Sequence, residues 1–296
     1  MNIVLTGANG FIASNWLARL APKARVFALG RTAPAGARAG VEIVHVPCDL
    51  AKPGALAGVI ASGALPGKVD DVVHLAVSRL HRTFPETALD LFTVNLEAAA
   101  HLLDYAQRAK AEHVLFGSTG SVYNAGPDEA CREADFRYPK SYFAASKLFA
   151  DTLAGYYRSF FPVTVLRYFV PYGPNQSDRM VVGVIDRIAK GNAITLPQTG
   201  DGMIFAPIFV DDASAILERA RAGRWNEAVN AASRDALSLK AAGETIAKVL
   251  GKELKIERSP SSPALNLVPD LTRLDKHMPG HRFVSFEEGV RRVVGA

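Results

Sequence analysis

Thr6-Gly7-Ala8-Asn9-Gly10-Phe11-Ile12-Ala13 decides the reading of this chain through what stands on either side of it. Ahead of it lies Asn2–Thr6, an apolar stretch of strand length, and Gly10–Leu20 behind it carries a helical pattern. Gly7 permits a sharp turn out of the strand, and Gly10 lets the backbone approach a pyrophosphate at the helix N-terminus. Ala13 fills the third small position, which helix and strand need in order to pack closely. A strand–turn–helix of this kind points to dinucleotide binding, with a merely structural glycine turn as the bland alternative.

The alternation continues outward. Strands are expected at Arg25–Leu29, Glu42–Val46, Asp71–Leu75 and His113–Gly117, with a long helix over Thr93–Ala109. Ser141–Phe160 reads as a further helix and Val163–Tyr168 as the next strand. Strands separated by helices form βαβ units, so the fold class is α/β, a Rossmann-type doubly wound parallel sheet. From Pro171 the texture changes to turn chemistry (Tyr172-Gly173-Pro174-Asn175) and shorter segments, with helices expected over Val181–Lys190 and Leu239–Leu250 and a strand over Leu254–Arg258. The expected division is 1–170 for a dinucleotide-binding domain, to which 209–222 returns, and a smaller α/β substrate-binding region of 171–208 and 223–296.

Composition bounds the function. In 296 residues, 49% are hydrophobic, 21% are charged and the formal net charge is +5. That suits a soluble globular protein with a mild bias toward anionic ligands. The basic residues are scattered, and the longest cluster is Arg291-Arg292, so no nucleic-acid partner is expected. Cys48 and Cys131 stand in unrelated contexts and read as structural thiols, which fits a reducing cytoplasm. No apolar stretch has the length of a membrane span and the N-terminal run is too short for a signal peptide, so cytoplasmic localisation is expected. The seven histidines show no ligand spacing, and no metal is expected. His74 reads as a core histidine at a strand end, and Tyr156, Tyr157, Phe160 and Phe161 as helix packing.

Two local features bear on the cofactor. The second strand ends Leu29-Gly30-Arg31-Thr32, with no acid to bond a ribose 2′-OH and an arginine able to meet a 2′-phosphate. This favours NADP over NAD, although Arg31 could stack on adenine or be solvated. Cys48-Asp49-Leu50 follows the third strand, well placed to touch the adenine edge.

A third feature bears on the chemistry. In Ser141-Tyr142-Phe143-Ala144-Ala145-Ser146-Lys147, the residue one helical turn before Lys147 is Phe143. A tyrosine there would share a helix face with the lysine, whose charge lowers the phenol's pKa and suits it to proton transfer near neutrality. Phe143 keeps the shape and loses the proton, while Tyr142 points about 100° round the helix.

Together with HLA at 74–76, VNL at 94–96, GSTGSVY at 117–123, LRYFVPYGP at 166–174 and IFVDDAS at 208–214, these motifs resemble the extended short-chain dehydrogenases/reductases, the NAD-dependent epimerase/dehydratase family. The resemblance runs over nearly the whole length and points to the nucleotide-sugar-modifying type. It implies that Gly7, Asn9, Gly10, Phe11 and Ile12 hold the dinucleotide. Asp49, Leu50, Leu75, Ala76, Val77 and Asn95 would contact it too, as would Lys147, Tyr168 and Val170. Thr119, with Ser118 as the near alternative, would polarise the reacting oxygen, and Lys147 would hold the ribose hydroxyls and tune the phenol. Substrate contacts are implied for Ser78, Thr119, Ser121, Phe143, Asn175 and Phe205.

The departures matter as much. The resemblance implies an Asn, as in many nucleotide-sugar members, where Val170 stands, and in many of them an Arg that clamps pyrophosphate near Phe205-Ala206-Pro207, where none is found. Arg79, Arg82 or Arg179 could compensate. The Asp-Glu pair of a dehydratase is replaced by Gly120-Ser121. The chemistry implied is hydride transfer on a sugar carbinol or keto carbon, as in a 4-epimerase or 4-ketoreductase, with a homodimer built on the two long helices. Phe143 admits three explanations: a deliberate Tyr→Phe substitution, a phenol supplied by Tyr142 through a local shift, or a naturally impaired member. The last would act as a non-catalytic NAD(P)-binding regulator or scaffold.

Overall fold

A computed structural model describes residues 1–78, 80, 83–123, 130–176, 179–260 and 266–295. Arg79 and Arg82 of the sequence reading lie outside the described residues. The chain divides into two compact units, one of 1–122, 137–167 and 214–229, the other of 123–136, 168–213 and 230–296. The expected return of 209–222 corresponds to 214–229 in the first unit, and 123–136 groups with the second.

The first unit is built on β1 (Asn2–Thr6), α1 (Phe11–Leu17), β2 (Arg25–Gly30), β3 (Glu42–Pro47), α2 (Ala55–Ala61) and β4 (Asp71–His74). It continues through α3 (Ala88–Phe92), α4 (Ala98–Arg108), β5 (His113–Thr119), α5 (Tyr142–Tyr156) and β6 (Val163–Tyr168). The inner strands are apolar runs buried on both faces: Ile3, Val4, Leu5, Val72, Val73, Val114 and Leu115 have no exposed surface, as a parallel sheet covered by helices requires. The central sheet is seven-stranded and parallel, in the order β11-β6-β5-β4-β1-β2-β3, where β11 is Ala228–Ala231. Thr6 pairs with Leu29 on one side and with His74 on the other. The chain order therefore reverses between β1 and β4, the switch point beyond which ligands bind in doubly wound sheets.

Two of the boundaries that differ from expectation bear on the site. The strand at His113 runs two residues further, to Thr119, which puts the GST segment at the C-terminal end of an inner strand rather than in a loop. The long helix begins at Ala88 and contains a π-helical turn, Thr93–Glu97, between α3 and α4. Such an inserted turn re-aims the side chains it carries and is frequent at functional sites.

The second unit holds β7 (Pro171–Tyr172), α6 (Met180–Ala189), β8 (Ile194–Pro197), β9 (Ile204–Phe205) and β10 (Ile208–Phe209). Next come α7 (Val210–Gly223), which crosses into the first unit, then β12 (Leu237–Ser238), α8 (Leu239–Leu250) and β13 (Ile256–Ser259). Helices α9 (Thr272–His277) and α10 (Phe286–Val294) close the chain. The expected strand over Leu254–Arg258 begins two residues later, at Ile256, where it pairs with β8.

Candidate active site

Gly7 explains itself in the fold. Its φ is 75°, and a Cβ there would stand 2.6 Å from Ala76 N and 2.7 Å from Leu75 C. The turn after β1 thus lies against the chain leaving β4, and only glycine fits that approach. Gly10 N–H donates to Gly7 O at 2.7 Å, and a Cβ on Gly10 would meet that same oxygen at 2.9 Å. Gly10 caps α1 with extended backbone and no side-chain bond, so the first-turn N–H groups at Phe11 and Ile12 stay available to an anion. Asn9 turns its amide to Thr32 O at 3.1 Å, tying this turn to the loop that carries exposed Arg31. Asp49 accepts Ala51 N–H at 3.3 Å, and Asp49 and Leu50 are half-buried after β3.

Lys147 is the buried cation of this region, 6% exposed. Its Nζ donates to Gly117 O at 3.0 Å and to Ala76 O at 3.3 Å, so it bridges the ends of β5 and β4. Burial pulls its ammonium down to about 8. Thr119 lies two residues beyond Gly117, half-buried; its Oγ1 accepts Ser121 N–H at 3.1 Å, which caps the short turn Gly120–Val122. That bond uses a lone pair and leaves the hydroxyl proton to donate elsewhere. Ser118, the near alternative, is buried and its Oγ has no partner among the described residues.

Phe143 stands one turn before Lys147 on α5, whose start is fixed by Ser141 Oγ accepting Ala144 N–H. Tyr142 faces elsewhere: its ring stacks on Phe84 at 5.0 Å and 19°. The helix begins at Tyr142 in the register that places Phe143, not Tyr142, above Lys147.

His74 closes the group from β4. Its Nδ1 is bonded to Thr6 Oγ1 at 2.7 Å, and its ring meets Phe116 edge-on at 5.4 Å. Its Nε2 is buried without a partner among the described residues. Burial, then the nearby Lys147 charge, pulls the imidazole down to about 3, so it stays neutral.

Several expected ligands are placed otherwise. Asn95, expected at the cofactor, is fully buried in the π-helical turn; its Oδ1 accepts Ser78 N–H at 3.3 Å and its Nδ2 donates to Ser146 Oγ at 2.9 Å. Ser78, expected at the substrate, is 2% exposed and its hydroxyl donates to Asp90. Both serve as internal braces because the loop after β4 folds back on the helix.

In the second unit, Phe205 is 1% exposed and pairs with Leu237 through β9 and β12, so it is core rather than a surface for substrate. Tyr168 is buried with its hydroxyl toward Ala213 O at 3.5 Å. Val170 has φ 41° and exposed Asn175 has φ 63°. Arg179 is exposed at the start of α6. Val77 is exposed beside Ala76 in the first unit. Asn95, in the π-helical turn, and Ser78, in the loop after β4, carry no local signal of these inward bonds.

Cys48 and Cys131 are both free and buried, and burial pushes the Cys131 thiol up to about 11. No described helix is long and apolar enough to cross a membrane.

Known proteins match this arrangement. A UDP-N-acetyl-alpha-D-glucosaminuronate decarboxylase from Bacillus cytotoxicus is 28% identical over 243 residues, covering 76% of this chain and 75% of that protein. A dTDP-4-dehydro-6-deoxy-D-allose reductase from a Streptomyces species is 26% identical over 294 residues, covering 93% and 89%. The UDP-glucose 4-epimerase of Thermus thermophilus, solved in complex with NAD, superposes with a TM-score of 0.79 at 26% identity, covering 100% of this chain and 98% of that one. The family model for NAD dependent epimerases/dehydratases matches residues 3–232, and the chain belongs to that family.

Proposed function

We propose that this chain binds a nicotinamide dinucleotide and works by hydride transfer at a carbinol or keto carbon of a nucleotide sugar, as a 4-epimerase or 4-ketoreductase slowed by Phe143. One observation carries the reading. Lys147 Nζ is held by Gly117 O and Ala76 O at the mouth of β5 and β4, beside the Gly7–Gly10 turn and two residues from Thr119. The residues present fit the cofactor: a glycine turn whose added Cβ atoms would collide with backbone, and a helix start without a side-chain cap. Gly7, Gly10, Phe11 and Ile12 would hold the pyrophosphate, Asp49 and Leu50 the adenine, and Arg31 a 2′-phosphate, the basis for preferring NADP over NAD. When bound, the cofactor supplies a hydride acceptor or donor. Thr119 Oγ1, with a free donor proton, polarises the substrate oxygen, and Lys147 Nζ is anchored close by on the two carbonyls.

The relatives support this reading, since their names describe enzymes of UDP- and dTDP-linked sugars. The clamp arginine's absence, with Phe205 buried in its place, favours a substrate gripped less strongly at its diphosphate. A general acid/base contributes about 10²–10⁴ in rate, so Phe143→Tyr should raise kcat by that order with UDP-glucose, UDP-glucuronate or a dTDP-4-keto sugar. Titrations with NADP and NAD accompany the assay, and tighter NAD binding would remove the Arg31 preference. Tight dinucleotide binding with no turnover by Phe143→Tyr protein would favour the second reading that Phe143 itself suggests, a non-catalytic NAD(P)-binding regulator.

A homodimer through the long helices is part of the proposal. Leu89 and Phe92 on α3, Phe149 and Tyr156 on α5, and Phe160 just after it are 44–74% exposed, and such an interface would bury these large apolar side chains.

A further inference from the structure

We infer that Lys147 Nζ itself moves the proton in this chain, in place of the phenol that position 143 lacks. The inference rests on the hydride-transfer reading above and assigns that reaction a different acid/base.

The geometry is that of a neutral amine poised as a base. A tetrahedral amine has three directions besides its Cε bond. Two of them are N–H donors satisfied by Gly117 O at 3.0 Å and Ala76 O at 3.3 Å. A neutral –NH2 meets both carbonyls with its two protons and keeps its lone pair for the third direction. An ammonium would leave one charged N–H there, in a site 6% exposed. No carboxylate pairs with this nitrogen among the described residues. From β4 the facing titratable group is His74, neutral and bonded to Thr6. On α3, Asp90 is engaged by Ser78; on α5 itself, Asp151 is paired with Arg167 and Arg137, and Tyr142 stacks on Phe84. β5 offers only Gly117, Ser118 and Thr119 at this end. Burial without a counter-charge lowers the amine into the working range of a general base.

In the oxidative direction the substrate O–H bond breaks and an N–H bond forms on Lys147, giving the ammonium. The carbinol C–H pair leaves as hydride to the oxidised nicotinamide of the functional reading, and the C=O bond forms. Reduction is the reverse, with the ammonium returning the proton. Thr119, two residues along the strand from the carbonyl that anchors Nζ, donates to the same substrate oxygen.

The first readout is independent of turnover. In protein with 13C-labelled lysine, one side-chain ε resonance should titrate near pH 8, two or more units below the others, and vanish in Lys147→Arg protein. A Lys147 that stays charged to pH 10 overturns the inference. The second is the pH profile of the slow oxidative single-turnover rate with UDP-glucose or UDP-glucuronate: it should rise tenfold per pH unit up to about 8 and level off above. Lys147→Arg, whose guanidinium stays protonated, should lose that rise. A chain inert at every pH beside an active Phe143→Tyr variant overturns the proton role and leaves the functional reading standing. If Phe143→Tyr is inert as well, the functional reading falls and the inference falls with it.

Discussion

Val170 holds φ 41°, a left-handed conformation that β-branched side chains rarely adopt. Its carbonyl accepts Ile208 N–H at 3.2 Å, which fixes the backbone there. The asparagine that the family resemblance implies at this place has a physical reason, because a short polar side chain tolerates that region. Val170→Asn is therefore expected to raise stability by about 1 kcal/mol, seen as a higher urea midpoint with unchanged slope. A lower midpoint would show that the valine's packing outweighs its strain. At this scale the sequence was legible where chemistry depends on near neighbours. Phe143 and Lys147 are one helical turn apart whatever the rest of the chain does. It was opaque where the neighbour is distant, as with Ser78 and Asn95, which bond to each other and to Asp90 and Ser146 rather than facing ligands.

At the scale of elements, α5 carries the candidate chemistry and is pinned to the sheet by one buried ion pair. Asp151 lies one turn beyond Lys147, 4% exposed, and accepts Arg167 Nε from β6 at 2.8 Å. Arg137 approaches its other oxygen at 3.6 Å. Breaking one side of such a pair strands a buried charge at a cost of about 3–5 kcal/mol, whereas replacing both sides with apolar groups is near neutral. Asp151→Ala should therefore unfold at much lower denaturant, and Asp151→Leu combined with Arg167→Met should recover most of the loss. If the double variant is no better than the single, the anchor is something other than this pair. The helices and strands themselves were readable from period and turn chemistry, with Val163–Tyr168 and Leu239–Leu250 expected at the bounds observed. The π-helical turn over Thr93–Glu97 was not, since an extra residue in a helix leaves the apolar pattern almost unchanged.

Across the whole molecule, buried histidines set the response to acid. His113 is fully buried, bonded through Nε2 to Thr164 Oγ1 at 2.8 Å and to Trp225 O at 3.0 Å. Its Nδ1 lies 4.0 Å from Asp71, whose carboxyl burial holds above the usual range. Burial pulls His113 down to about 4, against 6.5 in the unfolded chain. Between those values the unfolded chain binds the extra proton, so stability is fully present above pH 6.5 and falls as pH drops toward 4. The loss amounts to about 3 kcal/mol from this group alone. His74, pulled down to about 3, extends the same loss further into acid. Urea midpoints at pH 7.5 and 4.5 should differ accordingly, and His113→Gln should shrink the difference; equal midpoints would mean that the histidine protonates in place. The exposed apolar face of α3 and α5 predicts a mass twice 31.7 kDa by light scattering, reduced to one chain by Phe149→Lys with Tyr156→Lys. A monomeric parent protein would refute the dimer. By itself the sequence determined the glycine turn after β1, the parallel α/β sheet and the phenylalanine one turn from a lysine, because each is written in spacings of a few residues. Only the tertiary structure decided that Phe205 is core, that Asn95 braces a loop, that 123–136 groups with the second unit, and that Lys147 has carbonyls but, among the described residues, no carboxylate at its nitrogen. Burial and electrostatic environment come from strands and helices far apart in the chain, and no local pattern encodes which of them will meet.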